Sequence, residues 1–184
     1  GQFVQSHALS FFHLSAPALL LGWESDPAPR NVFGLIGTHP DIARGGIRLR
    51  QFGQEIIEAL GGRKIHPAWS VPGGVRDGLS IERRDHFLAR LPEMFQTTRQ
   101  ALDLFKGFLD THPEETQQFG NFPSLFLGLV THKGNWENYD GLLRFTDADG
   151  KIVDQCDPIH YEQYIGEAVE HDTFLKSPYF KPIG

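Results

Sequence analysis

Cysteine is almost missing from this chain: Cys156 is the one thiol among 184 residues. A single cysteine excludes an intrachain disulfide, an all-cysteine zinc site and a cysteine-ligated iron–sulfur cluster. A reducing, cytoplasmic location is the expectation that follows. Long apolar runs are missing too. The most apolar stretch near the start, Ala8 to Trp23, is interrupted by His13, Ser15 and Pro17, and no basic residue precedes it. It reads as neither a membrane span nor a signal peptide. Positive charge is in deficit, with 17 basic against 23 acidic residues and a net charge of −6. Nucleic acid is therefore not an expected partner, because phosphate binding needs a concentrated basic surface.

Signature motifs of catalysis are equally scarce. There is no Gly-x-Ser-x-Gly elbow, no Walker-type phosphate loop and no His-Glu-x-x-His pair. The Gly-Gly pairs at 45–46, 61–62 and 73–74 lack the strand–glycine–helix setting of a dinucleotide site. Of the nine histidines, His7 and His13 share a helical segment but stand six residues apart. At roughly 100° per residue they point away from each other and cannot chelate one ion from a straight helix. Asp147-Ala148-Asp149-Gly150 imitates the start of a calcium loop, but the first ligand position would fall on Phe145, so a plain turn is expected. Cys156 has no basic neighbour closer than Lys151 and reads as an inert thiol.

What the chain does hold is core material and helical periodicity. Fifteen Phe and 40% hydrophobic residues suffice for one domain or two small ones. Phe3 to Leu14 reads as an aromatic-rich helix that Pro17 kinks or restarts, with Ala18 to Leu21 continuing it. Gly22 to Arg30 is a turn-rich break, and Asn31 to Thr38 forms a short helix. His39-Pro40 opens the next helix, on which Leu49, Phe52, Ile56 and Leu60 make one stripe. Gly61-Gly62 ends it. Ser80 caps a helix from Ile81, which Pro92 should split or which a new helix should follow with Pro92 in its first turn. Phe95, Thr98, Leu102, Phe105 and Leu109 then form a stripe broadened by Met94, Ala101, Leu104 and Phe108. Such breadth implies contact on two sides.

From Asn121 the texture changes. Ser124 to Thr131 is a strand candidate, and Leu142 to Thr146 with Lys151 to Gln155 reads as a β-hairpin around residues 147–150. Tyr161 to Ala168 looks helical, and Pro178 and Pro182 should leave the tail irregular. The expected fold is α+β and mainly α. Long packed helices over 1–120, with a loop at 61–79, are followed by a small hairpin-containing α+β part over 121–184.

The loop is the most informative stretch: Gly61-Gly62-Arg63-Lys64-Ile65-His66-Pro67-Ala68-Trp69-Ser70-Val71-Pro72-Gly73-Gly74-Val75. Two prolines stiffen it, Gly73 and Gly74 permit close approach by another surface, and His66 stands alone beside Trp69. Local spacing leaves two readings of His66 open, a hydrogen bond to the loop's own backbone or a functional imidazole.

This run resembles a loop of the large subunit of nickel–iron hydrogenases, especially the soluble NAD-linked type, and Leu79-Ser80 after it does so too. Gln5-Ser6-His7-Ala8-Leu9-Ser10-Phe11-Phe12-His13-Leu14, Pro29 to Ile36, Leu49 to Ile57, Tyr139 to Arg144 and Lys176-Ser177-Pro178-Tyr179 are similar to further segments of that family, in family order. The resemblance covers essentially the whole chain. It implies a central segment of a subunit that cleaves or forms H2 at a nickel–iron centre. In the family, two Cys-x-x-Cys pairs hold the metals; here neither pair exists, so no metal ligand transfers and no cofactor is expected on this chain alone. Residue 1 is Gly, which fits a cleaved tag or an excerpt from a longer protein. By resemblance, His66 lies near the iron–sulfur cluster of the small subunit, where an imidazole N–H tunes the cluster's potential. Gly73 and Gly74 would pack at that boundary. The iron–sulfur small subunit is thus the implied partner, and self-association through uncovered apolar faces is a second expectation. The alternative is a truncated or degenerate structural module that binds no nickel, much as the related quinone-binding subunit of respiratory complex I does without it.

Overall fold

The computed structural model describes residues 1–184. Two of the helices begin at a side-chain cap. The Asn31 side chain accepts from the backbone N–H groups of Phe33 (2.9 Å) and Gly34 (3.2 Å), starting α3, Val32–Thr38. The Ser80 hydroxyl oxygen accepts from the Arg83 N–H (3.2 Å), starting α5, Ile81–Thr111. Between them α4, Pro40–Gly61, opens on proline, whose missing N–H costs nothing there. It closes on Gly62 in the left-handed conformation (φ +75°), whose N–H returns to the Glu58 carbonyl.

Three pieces precede these: α1, Gln2–Ala8, a π-helical stretch, Leu9–Ser15, and α2, Ala16–Leu21. Pro17 sits in the first turn of α2. A regular α-helix would press its ring against the carbonyl four residues earlier. The wider π turn precedes it instead, with the Ala16 N–H reaching the Phe11 carbonyl. The expected restart at proline is therefore realised through a π stretch.

The stripe on α4 meets α1 and the π stretch in a core of Ala8, Phe12, Leu49, Phe52 and Met94. Two glycines a heptad apart let the backbones approach. A methyl group at Gly46 would run into the Phe12 ring, and one at Gly53 would lie 2.6 Å from the Gln5 backbone nitrogen. Ala16, Leu35 and Ala43 form a second cluster, with Leu35 fully buried.

Two expectations about α5 need correcting. The helix runs unbroken through Pro92. The proline leaves the Leu88 carbonyl without its usual donor, and Leu88 is exposed, so water can serve it. Nor is the broad stripe covered on two sides. Met94 is its buried member, while Phe95, Leu102 and Phe105 remain 58%, 49% and 40% exposed. They line an open, apolar cavity of about 590 Å³ together with Phe3, His7 and Phe11.

The chain divides into two units, Gly1–Thr116 and Gln117–Gly184, with the boundary inside α6, Pro113–Gln118. In the second unit β3, Phe126–Val130, β4, Leu142–Thr146, and β5, Ile152–Cys156, form an antiparallel meander in that order. Phe145 faces Leu127 on one side and Asp154 on the other. The β4–β5 turn is a plain one. The Asp147 carboxylate accepts from the Asp149 (3.0 Å) and Lys151 (2.9 Å) N–H groups, and Gly150 takes φ +79°.

The stretch expected to be helical from Tyr161 to Ala168 is helical only over α7, Tyr161–Tyr164. It continues as β6, Ile165–Val169, paired with β7, Lys176–Phe180, in the tail expected to be irregular. Ile165 and Val169 favour the strand, and Gly166 opposite Tyr179 leaves room for the phenol ring, which a methyl group would strike. Pro178 is tolerated because in a two-stranded sheet every strand is an edge. Phe145, Cys156 and Phe180 make this unit's core, the two rings 4.4 Å apart between centroids. The fold is thus α+β, about half helical with three small antiparallel sheets. No helix is long and apolar enough to cross a membrane.

Candidate interface loop

The loop between α4 and α5 is built from its first glycine outward. At Gly61 any side chain would occupy the place of the Pro67 ring, so only glycine lets the chain fold back there. The Ala68 N–H then bonds the Gly61 carbonyl (3.3 Å), closing the first arch. Within this arch His66 adopts φ +51°, the one non-glycine residue with a positive φ. A β-substituted residue held there stores strain, a feature that clusters at functional sites. Its imidazole is exposed and makes no hydrogen bond within the chain. The ring is thus not tied to the loop's own backbone.

Beyond Pro67 the sequence hid a small hairpin. β1, Ser70–Val71, pairs with β2, Gly74–Val75, in the register Ser70↔Val75 and Val71↔Gly74. Pro72 and Gly73 make its two-residue turn, with Gly73 at φ +89°, the arrangement a type II turn requires. Gly74 is a strand residue rather than part of the turn, and nothing crowds either glycine. The signal that could have found it is Pro72-Gly73, a type II turn pair, set between Val71 and Val75.

Side chains brace this loop internally, to α4, and through a bond between the helices on either side of it. The Trp69 indole N–H donates to the Asp77 carbonyl (3.0 Å), and Arg76 Nε donates to the Asp77 carboxylate (2.8 Å). Gln54 of α4 donates to the Lys64 carbonyl (2.6 Å), and Arg83 of α5 donates to the Ala59 carbonyl (3.0 Å). The loop is exposed along its length yet held at both ends and in the middle.

Beneath it an ion pair joins the two long helices. Arg90 of α5 donates to the Glu55 carboxylate, with the side chains only 25% and 28% exposed, and Gln51 adds a second bond to the same carboxylate (2.7 Å). Partial burial pushes the Glu55 pKa up, but the hydrogen bonds from Arg90 and Gln51 and the charges of Arg90 and His86 outweigh it. The carboxyl titrates below its ordinary range. The Arg90 guanidinium also lies 5.1 Å from the Phe52 ring centroid, so it caps the core as well. By local spacing alone Glu55 belongs to a solvated face. The pairing spans 35 positions, and no local pattern reports it.

Cys156 belongs to the core of the second unit. Burial, then the Asp154 and Asp157 carboxylates, push its thiol up. Nowhere do three or more His, Cys, Asp or Glu side chains gather as a metal ion requires.

No protein-family model matches the chain. Curated relatives do. It is 40% identical over 184 residues to a vhu-type subunit of the F420-non-reducing hydrogenase of Methanocaldococcus jannaschii, covering all of this chain and 44% of that protein. It is 38% identical over 190 aligned residues to the beta subunit of the NAD-reducing hydrogenase HoxS of Cupriavidus necator, covering all of this chain and 39% of that one. A crystal structure of an NAD+-reducing NiFe hydrogenase in the H2-reduced state superposes with a TM-score of 0.92 at 44% identity, over 100% of this chain and 41% of the other. The chain therefore spans less than half the length of the relatives it matches. The likeness covers all of this chain, and the proteins to which it is homologous are subunits of hydrogenases.

Proposed function

We propose that this chain is the central segment of a nickel–iron hydrogenase large subunit, in an enzyme that oxidises H2 or reduces protons with NAD or another soluble carrier. The segment acts as scaffold and as the contact for an iron–sulfur small subunit, not as the holder of the metals. The observation that carries this reading is the whole-chain likeness, at 44% identity and a TM-score of 0.92, to a chain of an NAD+-reducing NiFe hydrogenase. In this reading His66, Gly73 and Gly74 present the loop to the small subunit. The exposed imidazole on a strained backbone and the uncrowded Gly73-Gly74 pair support it.

The residues present do not fit a nickel–iron centre. Soft thiolates suit such a site, and the lone thiol here is buried with its pKa raised. The same observation favours a second reading, a degenerate relative that keeps the fold and the partner surface and never carries nickel. The reading frame on either side decides between them. Flanking Cys-x-x-Cys pairs establish the first, and their absence the second. For the 184-residue polypeptide, dialysis followed by elemental analysis should leave nickel and iron far below one per chain. Tight one-to-one nickel would overturn both readings. The uncovered α5 stripe should drive self-association of the isolated polypeptide, and sedimentation as a strict monomer at high concentration would count against the scaffold role.

A further inference from the structure

A second cavity, of about 410 Å³, opens beside the loop. His13 of the π stretch, Arg50, Gln51, Gln54 and Glu55 of α4, and Lys64 of the loop bound it. Most of these groups are already engaged: Glu55 by Arg90 and Gln51, Gln54 by the Lys64 carbonyl, and the Lys64 ammonium 3.8 Å from Glu58. Arg50 is not; it makes no hydrogen bond or ion pair within the chain. His13 Nδ1 is buried and has no partner either, and it sits in a π stretch, a rare backbone form that recurs at functional sites. The loop is net positive, with Lys64 paired to Glu58 and Arg76 to Asp77. Over 61–79 the loop carries Arg63, Lys64 and Arg76 against Asp77 alone, in a chain whose net charge is −6. Ile65 and Trp69 add exposed apolar surface beside these charges.

We propose that this cavity receives an acidic side chain of the subunit that covers the loop, its carboxylate taken by the Arg50 guanidinium with Lys64 alongside. The inference rests on the reading that loop 61–79 faces a second subunit. The free guanidinium offers the planar fork that matches a carboxylate in two parallel hydrogen bonds, which a lysine alone cannot do. A net positive loop on a chain of net charge −6 also favours encounter with an acidic face there.

The test uses the full-length subunit co-expressed with its partner. Affinity is measured for wild type, Arg50→Glu with Lys64→Glu, the milder Arg50→Gln, and Gly73→Asp in the loop. The charge reversal should weaken partner binding about tenfold or more in low salt, with Arg50→Gln intermediate. The gap should close as the screening length falls from about 10 Å at 0.1 M salt to about 3 Å at 1 M. Unchanged affinity of both Arg50 variants, while Gly73→Asp releases the partner, overturns the carboxylate receptor and leaves the interface reading standing. Indifference to all three variants, or no partner retained by wild type, overturns both. A reversal variant that fails to fold is replaced by Arg50→Gln, whose exposed position makes folding robust.

Discussion

The two long helices of the first unit both carry apolar stripes and meet different fates. α4 has 22 residues and buries Ala43, Gly46, Leu49, Phe52, Gly53 and Gly61. α5 has 31 residues and buries only Met94 and Thr97. Both show apolar residues at helical spacing, and both begin where the sequence announces a start, α4 on Pro40 and α5 at the Ser80 cap. The difference lies in what faces them. Glycines on α4 let α1 and the π stretch approach to backbone distance, whereas Phe95, Leu102 and Phe105 of α5 stay 58%, 49% and 40% exposed on an open cavity. Periodicity identifies a helix and the side it wants to hide; it carries no information about the surface that hides it.

The sharpest way to break this comparison is to truncate one aromatic on each helix. Phe52→Ala should cost about 3–5 kcal/mol in urea unfolding, as buried aromatic truncations do. Phe105→Ala, already 40% exposed, should cost less than about 1 kcal/mol in the same chain. Equal losses would mean that α5 is covered after all. A smaller effect probes the close approach itself. Gly46→Ala drives a methyl group into the Phe12 ring and should destabilise by about 1–3 kcal/mol, while Gly107→Ala, with open space around it, should be neutral or stabilising. Opposite signs at the two glycines, read by thermal melts, sustain the contrast between the helices.

The ion pair between them gives the next and pH-dependent effect. Glu55 has a folded-state pKa below its unfolded one, so its contribution is present above the ordinary carboxylate range and is lost as pH falls through the folded value. Glu55→Gln should lower stability by about 1–2 kcal/mol at neutral pH, less than for a fully buried pair because both groups are about a quarter exposed. The two melting curves should converge only at a pH below the usual carboxylate range. Convergence already above that range would remove Arg90 as the cause. Ser80→Ala should be milder, about 0.5–2 kcal/mol from the lost cap of α5, and is read by helical ellipticity.

Much of the helical framework was legible because its signals are local. Asn31, Ser80, the Pro40 start and the Gly62 stop each act within four residues, and each falls where the structure has it. The β3–β5 meander was legible in part for the same reason, through the Asp147–Gly150 turn. What was misread depends on partners distant in sequence. Ile165–Val169 has a passable helical pattern until Lys176–Phe180 offers it a ladder. Pro92 looks like a breaker until the surrounding helix outweighs one missing hydrogen bond. At the candidate site the composition of 61–79 was informative, and its braces were not: Gln54, Arg83 and the Glu55–Arg90 pair all reach across from other elements.

The backbone at His66 has one more consequence. Its left-handed twist is a posture that glycine would hold with less effort, so the imidazole sits there at a conformational cost. A relaxed His66→Gly chain would keep the arch while losing the ring, which separates comfort from purpose. Any defect that appears without a drop in melting temperature then belongs to the imidazole and not to the architecture that carries it.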